Sequence, residues 1–309
     1  MFDIDYVFPW VNDADSVWRN TYKEYCKKHG ETQRLNKMRN ERYRDWGLLK
    51  YLLRAIAVNM PWIRKLHLIV SNLEQVPAWI NQEEVHIVLH EDIMPPEVLP
   101  TFNSTTIEMF IANIPDLAEH FIYGNDDIYP LRPTLPDDWF TEDELPRFNM
   151  RHIAKTKIMN KQFRVVCAQQ WWKLLKLTNS QENLDYYCRP WHGLAPLVKS
   201  KCNEVLDLLG RDEVLKSTSA FRKDSNFNQY IYTDYMYMTG YYEDSNVAFS
   251  YISAKVPRKM LGDLQTTKSQ VICLNDCSLS ATTLQLAQTQ ILCAQLFERR
   301  FPNKCKYEN

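Results

Sequence analysis

Residues 119–130 read EHFIYGNDDIYP. Phe121, Ile122 and Tyr123 are apolar strand formers, and the run stops at Gly124 before presenting Asn125, Asp126 and Asp127. A buried strand that ends in a glycine followed by adjacent acids carries both carboxylates to the carboxyl edge of a sheet, where ligands bind in open α/β folds. Two carboxylates side by side repel unless a cation lies between them. Mg²⁺ or Mn²⁺ binds through one or two carboxylates plus the oxygens of a substrate phosphate. The sharp reading of the stretch is a metal–diphosphate site at Asp126 and Asp127. The plain reading is a turn, because Asn, Asp and Gly are ordinary turn residues.

Outward from this point, three more segments predict strands that end in polar residues. Residues 4–11 lead to Asn12 and Asp13, residues 65–70 to Ser71 and Asn72, and residues 85–89 to His90, Glu91 and Asp92. Apolar residues at helical spacing lie between them over 17–29 and 45–59, and capping residues before Ile107 predict a helix over 107–114. Alternation of strand and helix predicts a mostly parallel sheet with right-handed crossovers, flanked by helices. Further on, 247–252 and 270–274 read as strands and 282–300 as a closing helix. The expectation is one Rossmann-like α/β catalytic domain over 1–309, with an all-helical subdomain from about 165 to 245 packed on the sheet. The first strand–helix turn carries no glycine, so this is not a glycine-rich dinucleotide fingerprint.

Composition narrows the function class. The chain has 309 residues, 45% hydrophobic and 24% charged, with net charge −1, so no global field favours nucleic acid or an anionic membrane. Phosphate binding must come from a local cluster, and Arg34, Lys37, Arg39, Arg42 and Arg44 form the densest basic patch. That patch reads either as a solvated face or as an anion site, since arginine forks match phosphate oxygens. A second basic stretch, from Lys155 to Arg164, reads as a solvated face before it reads as a membrane contact. Eight cysteines include no C-x-x-C pair, which argues against zinc, and the first residues lack a signal-peptide pattern. No stretch reaches the ~18 apolar residues of a membrane span. A cytoplasmic protein with free thiols is expected. Nine Trp and 17 Tyr suit sugar or base stacking and suit core packing equally.

The acid pair and the arginines need one explanation together with His192, Arg222 and Asp276, each near the end of an element. Metal, arginine and a lone histidine are the equipment of chemistry on a phosphate ester. The cation and arginine neutralise charge, and the imidazole takes a proton from a hydroxyl nucleophile. A lone histidine is more often a surface or core residue.

IDYVFPWVND at 4–13, RYRDWGLLKYLLRAI at 42–56, PWIRKLHLIVSN at 61–72, HEDIMPPEVLPTFNSTTIE at 90–108 and EHFIYGNDDIY at 119–129 resemble the Stealth family of sugar-1-phosphate transferases. The family spans bacterial capsule enzymes and the vertebrate GlcNAc-1-phosphotransferase. Its later segments are matched by His192 to Ser200, by Phe221-Arg222 and by Cys273-Leu274-Asn275-Asp276. Departures are Phe8-Pro9 where the family has Tyr-Thr, Asp13 where it has Gly, and Cys277 where a second Asp is common. The resemblance implies a glycosyltransferase A-type sheet and transfer of hexose-1-phosphate from a UDP-sugar, most often UDP-HexNAc, to a saccharide hydroxyl. The acceptor would be an oligosaccharide, a polysaccharide or a lipid-linked saccharide, the last bringing peripheral membrane contact. It further implies that Asp126 and Asp127 hold Mg²⁺ or Mn²⁺ with Asp276 closing the shell, and that His192 is the base. Arg222, Arg42 and Arg44 would neutralise phosphate oxygens. Trp10, Val11, Asn12 and Asp13 would hold the uridine, and Asn103, Ser104 and Glu108 the sugar, although Asn103 and Ser104 read equally well as helix caps. Two rivals stand beside this reading. One is a metal-dependent UDP-sugar glycosyltransferase releasing UDP, and the other is a non-catalytic saccharide-binding module.

Overall fold

The computed structural model describes residues 2–37, 42–154, 162–180, 185–276 and 282–309. Ten strands lie in these residues: β1 (Ile4–Pro9), β2 (Leu66–Val70), β3 (Val85–Leu89), β4 (His120–Tyr123), β5 (Ile128–Pro130), β6 (Met150–Ala154), β7 (Tyr186–Pro190), β8 (Ala195–Val198), β9 (Phe249–Ser253) and β10 (Val271–Asn275). The main sheet has the order β3-β2-β1-β4-β8. Its first four strands are parallel, with Tyr6 beside Leu66 on one side and Ile122 on the other. β8 joins antiparallel to β4. β1, β2 and β4 are buried on both faces, as their unbroken apolar runs require of a parallel sheet covered by helices. The chain steps from β1 to β2 to β3 in one direction and then returns to place β4 on the far side of β1. The switch point therefore lies between β1 and β4, where the loops diverge and leave a crevice.

A second sheet, in the order β5-β10-β9, begins just after the acid pair. β10 runs antiparallel to β5, and the Leu274 amide donates to the Asp127 carbonyl at 2.8 Å. This pairing brings Asp276 back to the acids. One buried apolar cluster runs from Tyr6 and Leu52 through Ile122 to Ile272 and Phe297, so the two sheets share a core. Among the described residues no helix is long and apolar enough to cross a membrane. The seven described cysteines are unbridged, while Cys277 lies outside the described residues.

Several sequence expectations shift. The helix expected over 45–59 spans Leu49–Asn59, because Asp45 turns its carboxylate onto the Gly47 amide at 2.8 Å. The helix expected over 107–114 is the short Ser104–Glu108, capped by the Asn103 side chain. The stretch from 165 to 245 is not all helical. It contains β7, paired with β6, and β8, which extends the main sheet. β8 holds Pro196 at the sheet's outer edge, the position where a strand tolerates a residue with no amide to donate.

Asp5 is a fully buried acid that belongs to the scaffold. It accepts from Arg64 at 2.8 and 2.7 Å and from the Ala118 amide, and it pairs with His67 at 2.9 Å. Burial raises its pKa, but these hydrogen bonds overcome that and hold it at about 2. It sits near the start of β1, away from the carboxyl edge.

Gly124 ends β4. A Cβ there would lie 2.7 Å from both Tyr6 Oη and Leu194 Cδ2. Gly124→Ala is expected to cost about 1–3 kcal/mol by overpacking and to displace the acids that follow. Denaturant titration and activity assays check this, and an unchanged midpoint with full activity would contradict it.

Candidate active site

One cavity of about 810 Å³ opens along the carboxyl ends of the parallel strands. Trp10 and Val11 after β1, Ser71 after β2, His90 after β3 and Asn125, Asp126 and Asp127 after β4 all line it. Its size suits a sugar nucleotide, since small-molecule sites run to about 300–1,000 Å³. Arg34, Arg42, Arg44 and Arg222 supply positive charge to its walls. Arg39 and the stretch Lys155 to Lys161 lie outside the described residues.

The structure brings together twelve of the fourteen residues singled out in the sequence: Trp10, Val11, Arg42, Arg44, Asn103, Ser104, Glu108, Asp126, Asp127, His192, Arg222 and Asp276 line the cavity, whereas Asn12 and Asp13 do not.

 Asn12 instead accepts from the Ala14 amide in the turn before the helix Ser16–Lys28, which Asp15 caps.

The acids sit in the cavity floor, half-buried. Burial, then the neighbouring Asp127 and Asp45, push the Asp126 carboxyl up to about 8. Asp127 is raised too, chiefly by burial, against the pull of His192. Its Oδ2 accepts from Cys273 Sγ at 3.5 Å, while its buried Oδ1 has no hydrogen-bond partner among the described residues. Asp127, His192 and Cys273 present ligand atoms within 4.8 Å of one another, a group that could hold a metal ion. An unpartnered carboxylate oxygen beside a crowded acid is what a divalent cation relieves, so the residues fit one.

The sign of the Asp126 shift gives a prediction. An unfolded Asp titrates near 3.8 and the folded one at about 8, so the folded chain holds an extra proton between those values. Stability of the metal-free protein should be highest at the acidic end of that window and fall as pH rises through about 8. Thermal melts in chelator should show this decline, and Mg²⁺ should raise Tm more at pH 8 than at pH 5. A Mg²⁺ increment that does not grow with pH would contradict it.

His192 follows β7, and its Nδ1 lies 2.8 Å from Tyr230 Oη. In the tautomer that serves as a base, Nδ1 donates to Tyr230 and Nε2 keeps its lone pair. Burial lowers the His192 pKa below its ordinary 6.5, partly offset by Asp127. The ring is therefore neutral at pH 7, as a base must be.

Two of the cavity's arginines have side-chain partners. Arg44 Nη1 donates to Asp276 Oδ2 at 2.9 Å, and Trp46 Nε1 donates to the same oxygen at 2.9 Å. Asp276 is thus held by Arg44 and Trp46 beside the acids, and Arg44 is committed to it. Arg222 donates to Ser104 Oγ at 2.6 Å and is exposed to the cavity. Asn103 caps its helix and bonds Asn226 at 3.0 Å, so its side chain serves the fold. Glu108 accepts from the Gln229 amide at 2.8 Å, and burial raises it to about 7. Sequence reasoning missed Tyr230 and Trp46. Trp46 lies inside the segment 42–56 that carried the resemblance, but nothing local marks Tyr230.

The chain is similar to several known proteins. Conserved region 2 of Stealth proteins matches residues 42–148. The exopolysaccharide phosphotransferase cps2G of Lactiplantibacillus plantarum is 30% identical, over 99% of this chain and 96% of that protein. The receptor polysaccharide phosphotransferase WefC of Streptococcus gordonii is 32% identical, over 88% and 90%. Among solved structures, the galactosyltransferase LgtC superposes with a TM-score of 0.45 at 11% identity, over 96% of this chain and 95% of that one. On the near full-length relatives, this chain belongs to the Stealth family, and it is a phosphotransferase.

Proposed function

We propose that the protein transfers a sugar-1-phosphate from a UDP-sugar, of the UDP-HexNAc class, to a hydroxyl of a saccharide acceptor during capsule or cell-surface polysaccharide synthesis. The observation that carries this reading is His192, neutral and fixed by Tyr230, beside Asp127 in a cavity walled with arginine. The acceptor oxygen attacks the β-phosphorus and its proton passes to His192 Nε2. The bond from that phosphorus to the bridging oxygen breaks, and UMP leaves with the bridging oxygen. The products are a phosphodiester and UMP.

Asp126 and Asp127 would hold Mg²⁺ or Mn²⁺, which supplies charge neutralisation at the diphosphate. Asp276, kept in place by Arg44 and Trp46, adds negative charge next to Asp127. Arg222, oriented by Ser104, faces the phosphate oxygens, and Arg42 lies near it. Trp10 and Val11 wall the nucleoside end. The reaction would run on the cytoplasmic side, where nucleotide sugars are made. Incubation with Mg²⁺, a panel of UDP-sugars and saccharide acceptors tests the reading through its nucleotide product. UMP formed only with acceptor supports it, whereas UDP moves the protein to glycosyl transfer.

A further inference from the structure

The candidate base lines the cavity together with Tyr230. Trp191, its chain neighbour, and Tyr251 lie near it as well, and neither of them lines the cavity. These rings are 45% and 52% exposed, unusual for side chains of that size. The Tyr251 ring lies 6.4 Å from that of His192. Its position follows from the sheet, because Tyr251 on β9 is paired with Cys273 on β10, whose thiol touches Asp127. Trp191 precedes His192, stands 6.0 Å from Phe249, and has the Arg151 guanidinium 4.1 Å from its ring centre. Gly193 lets this turn settle on β9, since a Cβ there would come within 3.1 Å of Phe249.

A base that deprotonates an acceptor while a sugar nucleotide fills the cavity must receive that acceptor from outside the cavity. Exposed aromatic rings offer apolar faces with little conformational entropy to lose, and the C–H face of a pyranose packs against such faces. We propose that Trp191 and Tyr251 form the acceptor subsite, binding a neutral pyranose ring and turning its hydroxyl toward His192. Arg151 fixes the indole and adds donors at the rim. This inference rests on the proposed transfer reaction for its role, but the binding surface can be tested apart from catalysis.

The experiment uses Trp191→Ala, Tyr251→Ala and the double variant of the full chain, with Trp191→Phe and Tyr251→Phe as conservative controls. Saturation-transfer NMR with maltotriose, triacetylchitotriose and a β-linked galactotriose reads saccharide binding without donor. Calorimetry with UDP reads the nucleotide site. The expected result is binding of at least one trisaccharide that is lost in the double variant and retained in the Phe variants, with UDP affinity unchanged. In turnover, acceptor KM should rise about tenfold for each Ala substitution, as loss of an aromatic contact does, with donor KM unchanged. Trisaccharide binding undiminished in the double variant, binding of none by the wild-type protein, or a rise in donor KM in place of acceptor KM would overturn the proposal. If the products show glycosyl transfer, the NMR result still decides whether these rings bind saccharide.

Discussion

His192→Ala should lower transfer by about 10²–10⁴-fold, the usual contribution of a placed base, while leaving UDP affinity unchanged. The imidazole is a proton acceptor placed close to Asp127 in the cavity. Its pKa is depressed chiefly by burial, so its active form persists to pH values below 6.5. The acidic limb of kcat/KM in the wild-type enzyme should therefore have its midpoint below 6.5 and vanish in the variant. Steady-state kinetics across pH, with calorimetry for UDP, check both. Loss of UDP binding equal to the loss of rate would instead make His192 a structural residue.

Asp127→Asn carries the second large effect. The amide keeps the shape of the carboxylate but removes a charge from the position where its Oδ1 has no hydrogen-bond partner among the described residues. Metal-dependent turnover should fall by about 10³-fold, since charge neutralisation by a metal is worth several kcal/mol. The metal-free protein should melt higher by roughly 2 °C, because a neutral amide is less costly to bury than a carboxylate with an unpartnered oxygen. Opposite movement of activity and stability marks a residue kept for function. Calorimetric melts in chelator and rates against Mg²⁺ concentration check it, and a variant both less stable and normally metal-dependent would contradict it.

The site was partly legible because its pieces stand at element ends. Phe121-Ile122-Tyr123 followed by Gly124 and two acids specifies a strand and its carboxyl edge in consecutive residues, and β4 ends there. Contacts between distant parts of the chain were not legible. Arg44 meets Asp276 across the whole fold, and no local signal says that this arginine is paired with an acid instead of open to phosphate. Asn103 shows the converse: a polar residue in a matched segment whose side chain the helix end consumes. The strands β7 and β8 were missed because 165–245 read as helical, although Pro196 sits on the edge strand β8, where a missing amide costs little. Trp191 and Tyr251 were two among many aromatic residues until β9 and β10 placed them around His192.

The central claim is that phosphorus moves with the sugar. A UDP-sugar labelled with ³²P in the phosphate nearer the sugar, incubated with Mg²⁺, acceptor and enzyme, traces that atom directly. The account predicts that the label appears in the saccharide product and leaves unlabelled UMP. Label retained in UDP, with none in the saccharide, would contradict it.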